Sequence, residues 1–130
     1  PAFGFFSRKR NFMGSKKWYN NAFFNTLPEA EKQRMFDQFA VPESYAVNRQ
    51  LVVDPYSNID FSKAHVPLLF IGGSSDHIFP VSLTKKIAGK YKDRSSVVDL
   101  KIYEGKSHFI AGEPGWEKIA DDILAWFEKL

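Results

Sequence analysis

The run VPLLFIGGSSDHIFP, residues 66–80, decides how this chain is read. Val66 to Ile71 is a short, continuous apolar stretch, as expected of a strand covered on both faces. Pro67 is acceptable because a proline can stand at a strand start. GGSSDHIFP then reads as a loop. Downstream the rhythm repeats. Residues 82–91 space Leu83, Ile87 and Tyr91 by four and predict a helix. SVVDLKIY, residues 96–103, sets Val98, Leu100 and Ile102 against Asp99 and Lys101, which predicts a half-exposed strand at a sheet edge. GKSHFIAGE is a second loop. From Pro114 to Leu130, Trp116, Ile119, Ala120, Ile123, Phe127 and Leu130 keep helical spacing.

Two strands joined through a helix are expected to run parallel with a right-handed crossover. Their C-terminal ends then share one sheet edge, where open α/β sheets place their ligand sites. Asp76 follows the first strand and His108 the second, so the two can meet although far apart in sequence.

Upstream of residue 60 the chain is helical, irregular and aromatic. WYNNAFFN puts Trp18, Ala22 and Phe23 roughly on one helical face. In TLPEAEKQRMFDQFA, Thr26 and Glu29 have capping-box spacing and Pro28 fits a first turn. Met35, Phe36, Phe39 and Ala40 supply its apolar face, and Pro42 ends it. ESYAVNRQLVV predicts another short helix, and DPYSN a turn or linker. The organisation expected is residues 1–60 as a helical cap or lid and 61–130 as a strand–helix–strand–helix part of an α/β core.

Composition narrows the classes. At 130 residues the chain suits one domain with a modest core, rich in aromatics with 13 Phe, 5 Tyr and 3 Trp. The net charge of +3 is no argument for nucleic acid. With no cysteine there is no disulfide, zinc-thiolate site or thiol nucleophile. No apolar run approaches the roughly 18 residues of a membrane span, and PAFGFFSRKR lacks the pattern of a signal peptide. A cytoplasmic location is expected.

Two strands do not make a stable sheet. The first is apolar on both sides and wants neighbours on both edges, yet residues 1–60 offer no convincing third strand. The expectation is the C-terminal part of a larger α/β domain. The alternative is a small self-sufficient α+β domain whose third strand reads as helix.

The second half resembles the C-terminal part of the α/β-hydrolase fold family. VPLLFIGGSSDHIFP is similar to the strand and loop that carry that family's acidic triad member, at Asp76. YEGKSHFI is similar to the last strand and the loop carrying the catalytic histidine, at His108, and GWEKIADDILAWFEKL to the closing helix. Residues 1–60 are similar in character to the cap inserted before the acid-bearing strand. The order Asp before His agrees with the family's chain order of Ser, Asp or Glu, His. The nucleophile elbow G-x-S-x-G does not occur in this sequence. The resemblance therefore implies a fragment lacking the N-terminal half, with Asp76 orienting His108 as general base for a serine not in this chain. This chain alone is expected to be inactive.

What this implies is an esterase- or lipase-like hydrolase of a mainly apolar small molecule, with no cofactor, no nucleic acid and no transmembrane segment. Its partner would be the missing N-terminal half. Trp18, Phe23, Phe24, His77 and Ile78 are candidate substrate contacts. The family also holds dehalogenases, peroxidases, lyases and epoxide hydrolases, and an Asp nucleophile would indicate dehalogenase or epoxide chemistry. The rival class is a non-catalytic module that pairs an exposed sheet edge with a partner.

Other features carry less. Asp76, His77 and His108 include metal-capable side chains, but their spacing is not distinctive and no metal is expected. GGSS matches no phosphate-binding motif, and Ser74 and Ser75 read as loop residues. Gly105 and Ser107 are expected to keep the His108 turn tight. His65 has no evident role. The basic stretch SRKRNFMGSKK reads as a solvated lid surface, with an anionic or phosphate patch as the alternative.

Overall fold

The computed structural model of the chain describes residues 11–54 and 58–130. The stretch PAFGFFSRKR, with Arg8, Lys9 and Arg10 of the basic stretch, and Pro55 to Ser57 of the expected linker lie outside the described residues.

The N-terminal elements are β1 (Asn11–Phe12), α1 (Lys16–Ala22), α2 (Glu29–Phe39), β2 (Glu43–Ser44) and α3 (Tyr45–Val53). Ser15 and Ser44 start α1 and α3, each hydroxyl accepting a backbone N–H at 3.2 Å. The start of α2 departs from expectation. Pro28 stands at its cap position with no side-chain cap, so the capping box does not form. Thr26 instead donates its hydroxyl to Glu113 at 2.6 Å, a partner 87 residues away. Glu29 and Glu31 in the first turn still favour that helix end.

β1 and β2 form a two-residue antiparallel ladder that has no sequence signature. The core cluster is Tyr19, Phe24, Leu27 and Met35, with Phe23, Phe36, Ala40 and Phe109 packed against it. The buried face of α1 is Tyr19 and Ala22, while Trp18 stays 39% exposed. Phe109 comes from the loop that carries His108. Its ring meets Phe24 edge-on at 5.2 Å, so helices and histidine loop share one core.

The C-terminal elements are β3 (Leu68–Gly73), α4 (Val81–Ala88), β4 (Val98–Tyr103) and α5 (Trp116–Phe127). β3 and β4 are parallel, registered from Leu68↔Val98 to Gly73↔Tyr103. The parallel pairing and the flanking helices make this part of an α/β fold. β3 starts two residues later than expected, leaving Val66 74% exposed and outside the ladder. Among the described residues β3 pairs only with β4, so its other edge is free.

Helices cover both sides of the pair. α4 lies over Gly72 and Ile102 through buried Thr84 and Ala88. Gly89 ends it early, and Tyr91 packs beyond it on Phe61, His65 and Phe70. α5 holds the other side of β4 by polar contacts. The Trp126 indole N–H donates to Asp99 at 2.6 Å, and the Tyr103 hydroxyl to Asp122 at 3.0 Å. The docked face of α5 is thus Ile119, Asp122 and Trp126, rotated from the expected apolar stripe. Of that stripe Ile119 is buried, whereas Phe127 is 69% and Leu130 56% exposed. No helix among the described residues is long and apolar enough to cross a membrane.

Candidate functional site

The register of the two strands creates the site. Gly73 and Tyr103 are partners in the last rung, so the chain leaves both strands side by side. Backbone bonds then tie the two loops together. Ser74 N–H donates to the Tyr103 carbonyl and Ser75 N–H to the Lys106 carbonyl, both at 2.9 Å. Gly105 N–H donates to the Ser74 hydroxyl at 2.8 Å. A Cβ at Gly73 would overlap the Lys106 carbonyl oxygen, so only glycine lets the loops come this close. Gly105, at φ +70°, makes the turn toward the histidine in a left-handed conformation.

Asp76 is held by its own loop. One carboxylate oxygen accepts the N–H groups of Ile78 at 2.7 Å and Phe79 at 2.9 Å. The other accepts from His108 Nδ1 at 2.9 Å. A carboxylate only accepts, so in the neutral imidazole this bond puts the proton on Nδ1 and leaves the lone pair on Nε2. Among the described residues Nε2 has no hydrogen-bond partner. The Asp76 side chain is 7% exposed and that of His108 26%, so the acid is enclosed and the imidazole is reachable.

Aromatic rings fix the imidazole plane. Phe23 meets it edge-on at 4.9 Å, and Phe79 lies 5.5 Å away. A cavity of about 240 Å³ opens beside the pair, lined among others by Phe70, Phe79, Thr84, His108 and Ile110. Its walls are mostly apolar, with Asp76, His108 and Thr84 as the polar side chains.

The structure brings Asp76, His108 and Phe23 together, and Ile78 contributes its backbone N–H. His77 points elsewhere and donates from Nδ1 to the Asn21 carbonyl at 2.7 Å. With Trp18 it lines a separate surface cleft of about 450 Å³, beside Ser15, Lys17 and Asn21. Phe24, another of the candidate contacts, is 2% exposed within the core cluster. Ser107 is fully buried, its N–H bonded to Glu113 at 2.9 Å. The sequence reading missed Phe79, Asn25 and Glu113. Glu113 lies in the loop AGEPG, where glycine and proline make a charged residue look solvated, and only its later partners reveal otherwise.

A parallel strand pair that presents an acid and then a histidine from adjacent C-terminal ends defines an α/β-hydrolase arrangement. The sequence matches the prolyl oligopeptidase family over residues 18–130, and the chain belongs to that family. It is also similar to the non-heme chloroperoxidase CPO-A1 of Kitasatospora aureofaciens, 33% identical over 82 residues. That match covers 59% of this chain and 29% of the relative, so the chain spans less than a third of the protein it matches.

Proposed function

We propose that this chain is the acid–base part of a serine hydrolase that cleaves ester or related acyl bonds of a mainly apolar small molecule. One observation carries the reading: His108 Nδ1 is bound to Asp76 at 2.9 Å while Nε2 is free beside an apolar cavity. In the reaction, Nε2 takes the proton from a serine hydroxyl as that oxygen attacks the carbonyl. It then returns the proton to the leaving group. Asp76 keeps the imidazole in the Nδ1–H tautomer and stabilises the imidazolium.

The serine belongs to a segment that is not among these 130 residues, which contain no G-x-S-x-G. That segment, the N-terminal half of the same hydrolase, is the partner of this chain. It covers the free edge of β3 and supplies the oxyanion donors. Residues 1–60 act as the cap, and Phe23 with the Ile78 loop borders the substrate. Trp18 and His77 contact the substrate only where it extends into their neighbouring cleft. The site needs no cofactor, and its natural setting is the cytoplasm.

The similarity to a chloroperoxidase favours a second reading, in which the same pair and an external serine serve a peroxidase-type reaction. A nucleophilic Asp in the external segment would instead indicate dehalogenase or epoxide-hydrolase chemistry.

The test is turnover of an apolar aryl ester by the intact enzyme and two variants. His108→Ala and Asp76→Asn are each expected to fold normally and to lower kcat by about 10³–10⁴-fold. Near-normal turnover in either variant removes that residue from the mechanism. Normal folding and partner binding with no ester, peroxide or haloalkane turnover in the wild type would favour a non-catalytic module.

A further inference from the structure

Glu113 is 3% exposed and has no ion pair among the described residues. Its carboxylate is held by hydrogen-bond donors alone. Oε1 accepts Ser107 N–H at 2.9 Å, and Oε2 accepts the hydroxyls of Thr26 at 2.6 Å and Ser107 at 3.4 Å. Burying a charge without a cation costs stability that an apolar residue there would not. The residue it grips stands next to His108. On the other flank, Phe109 N–H donates to the Ser107 hydroxyl at 3.2 Å, and the Phe109 ring sits in the core. His108 is therefore the middle of a tripeptide whose two outer residues are both anchored.

The same turn between α1 and α2 also reaches the acid's loop. Asn25, adjacent to Thr26, donates from its amide to the Ser75 carbonyl at 2.8 Å, one residue before Asp76. Two successive residues thus hold both loops, one through Ser75 and one through Glu113 and Ser107.

We propose that Glu113, backed by Thr26, is a positioning residue that holds His108 in register with Asp76, and that the α1–α2 turn is the clamp setting their separation. The proposal rests on His108 being the general base. Because the clamp lies in the cap region, anything that shifts α1 and α2 also shifts the imidazole.

The experiment uses the intact enzyme and reads two things: kcat against KM for an apolar aryl ester, and the downfield proton resonance of His108 Nδ1–H. In Glu113→Ala, kcat is expected to fall about 100-fold with KM within about twofold, since a misplacement near 1 Å has that effect. The Nδ1–H resonance should be lost. Glu113→Gln keeps an acceptor for Ser107 N–H and should retain the resonance and kcat within about tenfold of wild type. Thr26→Val loosens only the outer contact and should lower kcat by roughly 3–10-fold. A folded Glu113→Ala with unchanged kcat and resonance overturns the proposal. If that variant does not fold, an unchanged Thr26→Val overturns it instead. His108→Ala in the same assay separates the two claims. Retained turnover there sinks the general-base reading, whereas the resonance still scores whether Glu113 holds the ring.

Discussion

Gly73 and Asp76 show how little of the site is negotiable. Gly73 is the last residue of β3, and its missing side chain is what lets the Lys106 carbonyl accept Ser75 N–H at 2.9 Å. Gly73→Ala should push the loops apart. The expected destabilisation is about 1–3 kcal/mol, the usual range for overpacking, read from denaturant midpoints. Ester turnover should fall with it, because the Asp76–His108 bond spans the same gap. A variant as stable and active as wild type would show that the loops tolerate separation. Asp76 and His108 could be singled out in the sequence on two grounds: each follows a strand in a loop that parallel pairing brings to one edge, and each stands where the α/β-hydrolase resemblance implies the acid and the histidine. Glu113 could not, because its role depends on Thr26 and Ser107, and neither pairing leaves a local pattern. Thr26 itself misled, since its spacing to Glu29 imitates a capping box.

Between β4 and α5 the contacts are polar and therefore sensitive to pH. Burial and the bond to Asp122 push the Tyr103 hydroxyl up to about 12. An unfolded tyrosine ionises near 10, so this group's contribution to stability is complete below about pH 10 and is lost as pH rises through about 12. On the acid side, the hydrogen bond from Tyr103 holds the Asp122 carboxyl below the usual carboxylate range. That contribution is present above about pH 4 and is lost as pH falls through the lowered value. Urea midpoints across pH should therefore decline at both ends, and Tyr103→Phe should flatten the alkaline decline. An alkaline limb unchanged in Tyr103→Phe would contradict this assignment. These contacts also decide which face of α5 docks on β4. The helix meets a polar strand face through Asp122 and Trp126, so its apolar stripe did not mark the buried side. The rhythm of strands and helices was readable from periodicity, but the β1–β2 ladder, two residues long, was too short to carry any period.

At the scale of the whole molecule, surface left open is informative. One edge of β3 has no strand partner among the described residues, and Val66, Leu124, Phe127 and Leu130 are more than half exposed. A parallel strand as apolar as β3 belongs inside a sheet, where both edges are paired. On the proposed reading, the nucleophile-bearing segment fills that edge and brings its serine to His108 Nε2. The most direct measurement is labelling of the intact enzyme with a fluorophosphonate, which reacts with activated serines, followed by mass-spectrometric mapping of the modified residue in wild type and His108→Ala. The account predicts a label on a serine outside residues 1–130 that largely disappears in His108→Ala. A label on Ser74, Ser75 or Ser107, or one undiminished by loss of the imidazole, would contradict it.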